Sequence, residues 1–126
     1  MRLEAKGELE VEGDREALLL CLRNLITNAI DWSGRGSAVH VSLGGENGKV
    51  TIRVDDAGPG VPLSERGRIF QPFYRGPSKN GGRIGYGLGL ALARSAVEAH
   101  GGRIDVGDSP LGGARFEVEL PRISRG

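Results

Sequence analysis

Asn24 and Asn28 stand four residues apart in NLITNA, residues 24 to 29, among Leu25, Ile26 and Ala29. On a helix this spacing projects both carboxamides from one edge, a turn apart. Asparagine is a mediocre helix former, and two carboxamides beside an apolar face need partners. Nearby loops could supply them. So could a hard cation such as Mg2+, which takes oxygen ligands together with waters and substrate phosphates. A second candidate is Asp56 in DDAGPGVP, residues 55 to 62, followed at two-residue steps by Gly58 and Gly60. Glycine lets backbone approach a ligand closely. A carboxylate beside it can accept from an exocyclic amine, a contact that selects adenine over guanine; the bland alternative is a tight turn with a solvated acid.

Two further stretches carry side chains or backbone suited to phosphate. RIFQPFYRG, residues 68 to 76, gathers Phe70, Phe73 and Tyr74, three of the five Phe and Tyr residues, beside Arg68 and Arg75. Phe70 and Phe73 are expected to plug the core, whereas the donor fork of Arg75 suits a phosphate. RIGYGLGLALARSAVEAHGG, residues 83 to 102, places Gly85, Gly87 and Gly89 at the mouth of a helical pattern. Glycine there exposes unpaired backbone N–H groups at the positive end of the helix dipole, a site for an anion. The pattern also resembles a dinucleotide fingerprint, but that should follow a strand immediately and carry an acid about 20 residues on. A long loop precedes this one.

The elements that must hold these residues are legible from period. ELEVE (8–12) alternates weakly, as a short strand does. Asp14 is the expected N-cap of a helix to about residue 32, with Ala17, Leu18, Cys21, Leu22, Leu25, Ile26, Ala29 and Ile30 at helical spacing. AVHVSL (38–43) and VTIRVD (50–55) alternate around an Asn47-Gly48 hairpin signal. From Ala57 to about Ile84 no period survives, and a connection so long inside a compact domain is functional or disordered. A helix to about His100 and the strands GRIDVGD and ARFEVEL complete the chain. The order predicts one α/β (α+β) domain: a two-layer sandwich whose mixed, mostly antiparallel sheet is covered on one face by helices.

Composition bounds what such a domain can bind. The 126 residues carry 17 basic and 16 acidic side chains, a net charge of +1. This supplies no broad field for nucleic acid or an anionic membrane, so any nucleotide must be gripped locally. A single cysteine, Cys21, gives no internal disulfide and fits a reducing compartment. No apolar run approaches the ~20 residues of a membrane span. Glycine alone is unusual: 22 residues, more than twice the average share of about 7%, and the clusters mark the loops.

Taken in order, NLITNAIDWS, DDAGPGV, IFQPFYR, GYGLGLAL and GGARF resemble the N box, first glycine box, F box, second glycine box and last glycine box of the sensor histidine kinase ATP-binding domain. The resemblance covers roughly residues 8 to 121. Related ATPases such as gyrase and Hsp90 share the Asn, Asp and glycine features but are not expected to carry IFQPFYR followed by GLGLAL. The resemblance implies the Bergerat ATP-binding fold over residues 1–126, with ATP and Mg2+ between the helices and a lid at roughly 74–87. By the same resemblance Asn28 ligates Mg2+ and Asn24 lies near the γ-phosphate, also within reach of the metal. Asp56 binds the adenine amine, and Gly58 and Gly60 shape the base pocket. Arg75 approaches the terminal phosphate, while Gly85, Tyr86, Gly87, Leu88 and Gly89 form the lid hinge and the start of the phosphate-binding helix.

The partner implied is a histidine-containing dimerisation domain of a parent kinase, with a response regulator reached indirectly, in the cytoplasm and without membrane contact by this segment. His40 falls on an expected strand and His100 ends a helix, so both are read as structural, and autophosphorylation by this segment alone is not expected. Several positions depart from the family pattern. Asp31 stands where a Lys or Arg usually reaches the phosphates, and Lys79 and Arg83 are the candidates to compensate. Trp32 occupies a place usually given to Tyr or another ring that lines the adenine site, where it either stacks on the base or only covers the edge of the core. Ala57, Ala114 and Tyr86 replace residues with small polar side chains. Two alternatives keep the same fold: a degenerate nucleotide-binding or protein-docking module, and an anti-sigma-type serine kinase.

Overall fold

The computed structural model describes residues 2–4, 8–33, 38–46, 48–72 and 89–122. Its longest helix, α1 (Arg15–Ser33), begins where the sequence predicts. Asp14 Oδ1 accepts from the backbone N–H groups of Glu16 (3.0 Å) and Ala17 (3.2 Å), satisfying two donors that the first turn leaves unpaired. Leu18, Cys21, Leu25 and Ala29 form its buried stripe. Ile30, which the periodicity places with them, is instead 54% exposed, because a buried face about 100° wide cannot take every apolar residue of two turns.

The described residues also form six strands. The short β1 (Arg2–Glu4) and β2 (Glu8–Glu10) pair antiparallel as a separate two-stranded sheet. The main sheet comprises β3 (Val39–Glu46), β4 (Lys49–Asp56), β5 (Arg103–Asp108) and β6 (Ala114–Pro121) in the order β3-β4-β6-β5. Every pairing among the described residues is antiparallel. The strand expected at 8–12 therefore pairs with β1 rather than joining the main sheet. A 3-10 turn at Leu63–Glu65 and the helix α2 (Gly89–Ala99) belong to the crossover from β4 to β5, and β6 returns between those two strands.

Both helices lie on one face, and the core sits beneath them. Val50, Ile52 and Val54 of β4, Phe116, Val118 and Leu120 of β6, and Ala93 and Val97 of α2 close over the α1 stripe. On β4 buried and more exposed residues alternate as far as Val54, after which Asp55 and Asp56 are both buried at the end of the strand. The opposite face carries cross-strand ion pairs: Arg115 with Asp55, Arg53 with Glu117 and Lys49 with Glu119. The helices run antiparallel: Asp14 meets His100, Cys21 meets Ala93 and Asn24 meets Gly89. No described helix is long and apolar enough to cross a membrane.

Candidate functional site

A cleft opens where the ends of β4 and β6 meet the start of α2. Asn28, Asp56, Gly60, Val61, Ile69, Leu90, Ala114 and Phe116 line it. Only two of these side chains are polar, and both were singled out from the sequence. Asn28 is 5% exposed and Asp56 is 1% exposed.

The Asp56 carboxylate is held by backbone from two segments. Its Oδ1 accepts from the N–H of Gly58 at 2.9 Å and of Ala114 at 3.1 Å. Gly113 N–H donates to the Asp56 carbonyl at 3.1 Å. Oδ2 takes no hydrogen bond from the described residues, so this oxygen is the acceptor left for a ligand. A buried carboxylate oxygen in an apolar cleft discriminates strongly for an N–H donor, because an acceptor placed opposite it would leave both unpaired. The close approach also explains the glycine before Ala114. A Cβ on Gly113 would lie 2.2 Å from Asp56 Oδ1 and 2.6 Å from Gly58 N, so any larger residue must displace one of them.

Asn24 and Asn28 stand a turn apart on α1, as the spacing predicts, with different surroundings. Asn24 Nδ2 donates to the carbonyl of Gly89 at 3.2 Å, which ties α1 to the first residue of α2 and leaves Oδ1 as the remaining acceptor. Asn28 lies deeper, in the cleft wall. Among the described residues no group of three or more His, Cys, Asp or Glu side chains could hold a metal. The polar side chains lining the cleft, Asn28 and Asp56, carry hard oxygen atoms and neither sulfur nor imidazole.

Phe116, which lines the cleft, packs against a second aromatic ring. Phe70 is buried, as expected, and meets Phe116 edge to face with centroids 6.1 Å apart, while the Arg94 guanidinium lies 6.0 Å from its centroid. The segment before Phe70 is stapled by Arg66, whose Nε donates to the Val61 carbonyl at 2.9 Å and whose Nη2 pairs with Asp108 at 2.7 Å.

The two histidines differ in their surroundings. His100 Nε2 accepts from the Asp14 N–H at 2.9 Å, and Nδ1 lies 2.6 Å from the Ala96 carbonyl. That pairing requires the neutral ring with its proton on Nδ1. Gly13 packs against the ring so closely that a Cβ would fall 2.0 Å from His100 Cδ2. His40 is exposed on β3, the edge strand. Asp31 and Ala57 are also exposed, whereas Ala114 lines the cleft. Phe73, Tyr74, Arg75, Lys79, Arg83, Gly85, Tyr86, Gly87 and Leu88 lie outside the described residues, as does the side chain of Trp32.

Sequence reasoning missed one feature beside the site. Asp55, next to Asp56 but on the opposite face, is 2% exposed. Arg115 grips it with two bonds, Nε to Oδ1 at 2.7 Å and Nη2 to Oδ2 at 3.1 Å. This contact raises the Arg115 guanidinium above its already high ordinary pKa. The alternation of VTIRVD and ARFEVEL put both residues on the outward face, but not opposite one another. The register pairing Asp55 with Arg115 supplies that.

Comparison with known proteins agrees with this architecture. The profile of the family described as "Histidine kinase-, DNA gyrase B-, and HSP90-like ATPase" matches residues 13–124. The alginate biosynthesis sensor protein KinB of Pseudomonas aeruginosa is 39% identical over 122 residues, which are 96% of this chain and 20% of KinB. The signal transduction histidine-protein kinase BaeS of Escherichia coli is 38% identical over 122 residues, 96% of this chain and 26% of BaeS. The chain thus spans about a fifth to three tenths of the length of the curated relatives it matches. Among solved structures, the mycobacterial sensor histidine kinase MprB superposes with a TM-score of 0.80 at 32% identity, over 91% of this chain and 76% of that one. With the family profile matched over nearly its whole length, the chain belongs to the histidine kinase-, DNA gyrase B- and HSP90-like ATPases.

Proposed function

We propose that this chain is the ATP-binding catalytic domain of a two-component sensor histidine kinase, and that it transfers the γ-phosphate of ATP to a histidine on a separate dimerisation domain. The observation that carries this reading is the Asp56 carboxylate, fixed at Oδ1 by two backbone donors in the wall of an apolar cleft. There it accepts from the adenine amine, with Gly58 and Gly60 shaping the base pocket. Trp32 stacks on the base.

On the same reading the phosphates run toward the start of α2. Asn28 and Asn24 face them from α1, and the backbone of Gly85, Gly87, Leu88 and Gly89 meets them at the helix N-terminus, with Tyr86 alongside. Arg75 reaches the terminal phosphate. Mg2+ fits the carboxamide oxygens of Asn28 and Asn24 and, when bound, neutralises phosphate charge. In the transfer a histidine nitrogen of the partner domain attacks Pγ, the bond to the β,γ-bridging oxygen breaks, and ADP leaves with that electron pair. Phosphoryl transfer needs little from a protein beyond positioning and charge stabilisation.

The test titrates Mg-ATP and Mg-ADP while following fluorescence of Trp32, the sole tryptophan, with calorimetry alongside. Saturable binding is expected. Asp56→Asn should weaken it by about ten- to a hundredfold, the worth of one hydrogen bond to a charged group. Wild-type binding that the substitution leaves unchanged would remove Asp56 from the base pocket.

A further inference from the structure

We infer that Arg115 is a positioning residue for Asp56: by gripping Asp55 on the solvent face, it fixes the β4–β6 spacing that aims the Asp56 carboxylate into the cleft on the other. The inference deepens the nucleotide reading, since it assigns a use to the aim of Asp56.

Asp55 and Asp56 are consecutive on β4 and point to opposite faces of the sheet. Asp55 pairs in register with Arg115, and this is the last register pair of β4 and β6 before the cleft. Beyond it the carboxylate of Asp56 itself continues the connection, with Oδ1 accepting from Ala114 N–H. Ala114 is the immediate neighbour of Arg115. A change of strand spacing at the Asp55–Arg115 rung therefore moves the donor that orients Asp56.

The grip at that rung differs from the others on the same face. Asp55 has a side chain 3% exposed, and both of its oxygens are bound by one planar guanidinium. One rung further, Arg53 and Glu117 touch through a single pair of atoms at 2.6 Å and are 45% and 33% exposed. Lys49 and Glu119 are 3.8 Å apart. Exposed single contacts constrain little, whereas a two-pronged grip on a buried carboxylate sets both distance and angle. Lysine keeps the charge but not the fork. With no room for a Cβ at Gly113, the backbone between Arg115 and the site has little freedom to absorb a shift.

The experiment compares wild type with Arg115→Lys, with the double variant Asp55→Asn plus Arg115→Gln, which leaves no unpaired buried charge, and with Arg53→Gln plus Glu117→Gln as the control rung. Two quantities are read. One is hydrogen exchange of the Gly58 and Ala114 amides in nucleotide-free protein. The other is the ratio of affinities for Mg-ATP and Mg-ITP, whose base carries a carbonyl in place of the amine. Both Arg115 variants should speed exchange at those two amides selectively and shrink the ratio about tenfold, the size of one charge-assisted hydrogen bond. Inosine nucleotide affinity should stay near the wild-type value, and the control should change neither quantity. Unchanged exchange and ratio in folded variants would overturn the inference. So would equal loss of both nucleotides with exchange raised across the whole core, since that is the signature of a merely structural pair. Absence of nucleotide binding by wild type would defeat the base-recognition reading alone, because amide exchange still decides whether Arg115 holds Asp56.

Discussion

Cys21 and Asp55 are buried equally, each 2% exposed, and the chain accommodates them by opposite means. Asp55 is paired with a guanidinium. Cys21 sits among apolar neighbours, its Sγ 3.7 Å from the Ala93 carbonyl, and burial pushes its pKa from 9.0 up to about 11. Between those values the folded thiol retains a proton that the unfolded chain has lost. The unfolded state then binds fewer protons, so stability falls as pH rises through this window and is level below it. Denaturant midpoints should decline more steeply from pH 9.0 to about 11 for wild type than for Cys21→Ala. Parallel declines would show that the thiol ionises freely in the native state. The same burial predicts that at neutral pH a thiol reagent modifies Cys21 only at the rate of unfolding.

At the scale of elements, the two helices are joined at their far end by side chain to backbone bonds. Asp14 caps α1 through its carboxylate, and its N–H is bound by His100 from the end of α2. Asp14→Ala should cost about 1 kcal/mol in equilibrium unfolding and Asp14→Asn much less, because an amide oxygen still caps. Equal losses in the two variants would mean that the carboxylate's charge, not its capping bonds, matters there.

This cap was legible in advance because it is local: a capping residue followed by a helical stripe. β3 was less so. It runs on through Gly44 and Gly45, residues of poor strand propensity, because the ladder to Thr51 and Val50 continues past the sequence signal. The 3-10 turn at Leu63–Glu65 has no periodicity to announce it. In the site, the spacing of Asn24 and Asn28 and the glycines after Asp56 could be read directly. The acceptor of Asn24 on Gly89 and the partner of Asp55 could not, since each depends on contacts at least 60 residues apart in sequence.

For the whole molecule, the decisive fact is where its two histidines lie. His100 spends both ring nitrogens on backbone, and His40 stands exposed on an edge strand in the main sheet rather than at the cleft. In the proposed transfer the phosphoryl acceptor therefore comes from elsewhere, and the chain spans about a fifth to three tenths of the length of its curated relatives. With a net charge of +1, long-range steering contributes little to meeting that acceptor, so encounter depends on tethering or local fit. Incubated with γ-labelled Mg-ATP, this chain alone should retain no label. Adding a dimerisation domain that bears the acceptor histidine should place label on that domain, at a rate rising with its concentration. Asp56→Asn should remove the signal at subsaturating nucleotide, whereas His40→Ala should leave it intact. Label on the isolated chain that disappears in His40→Ala would reverse this assignment and make the edge strand the acceptor.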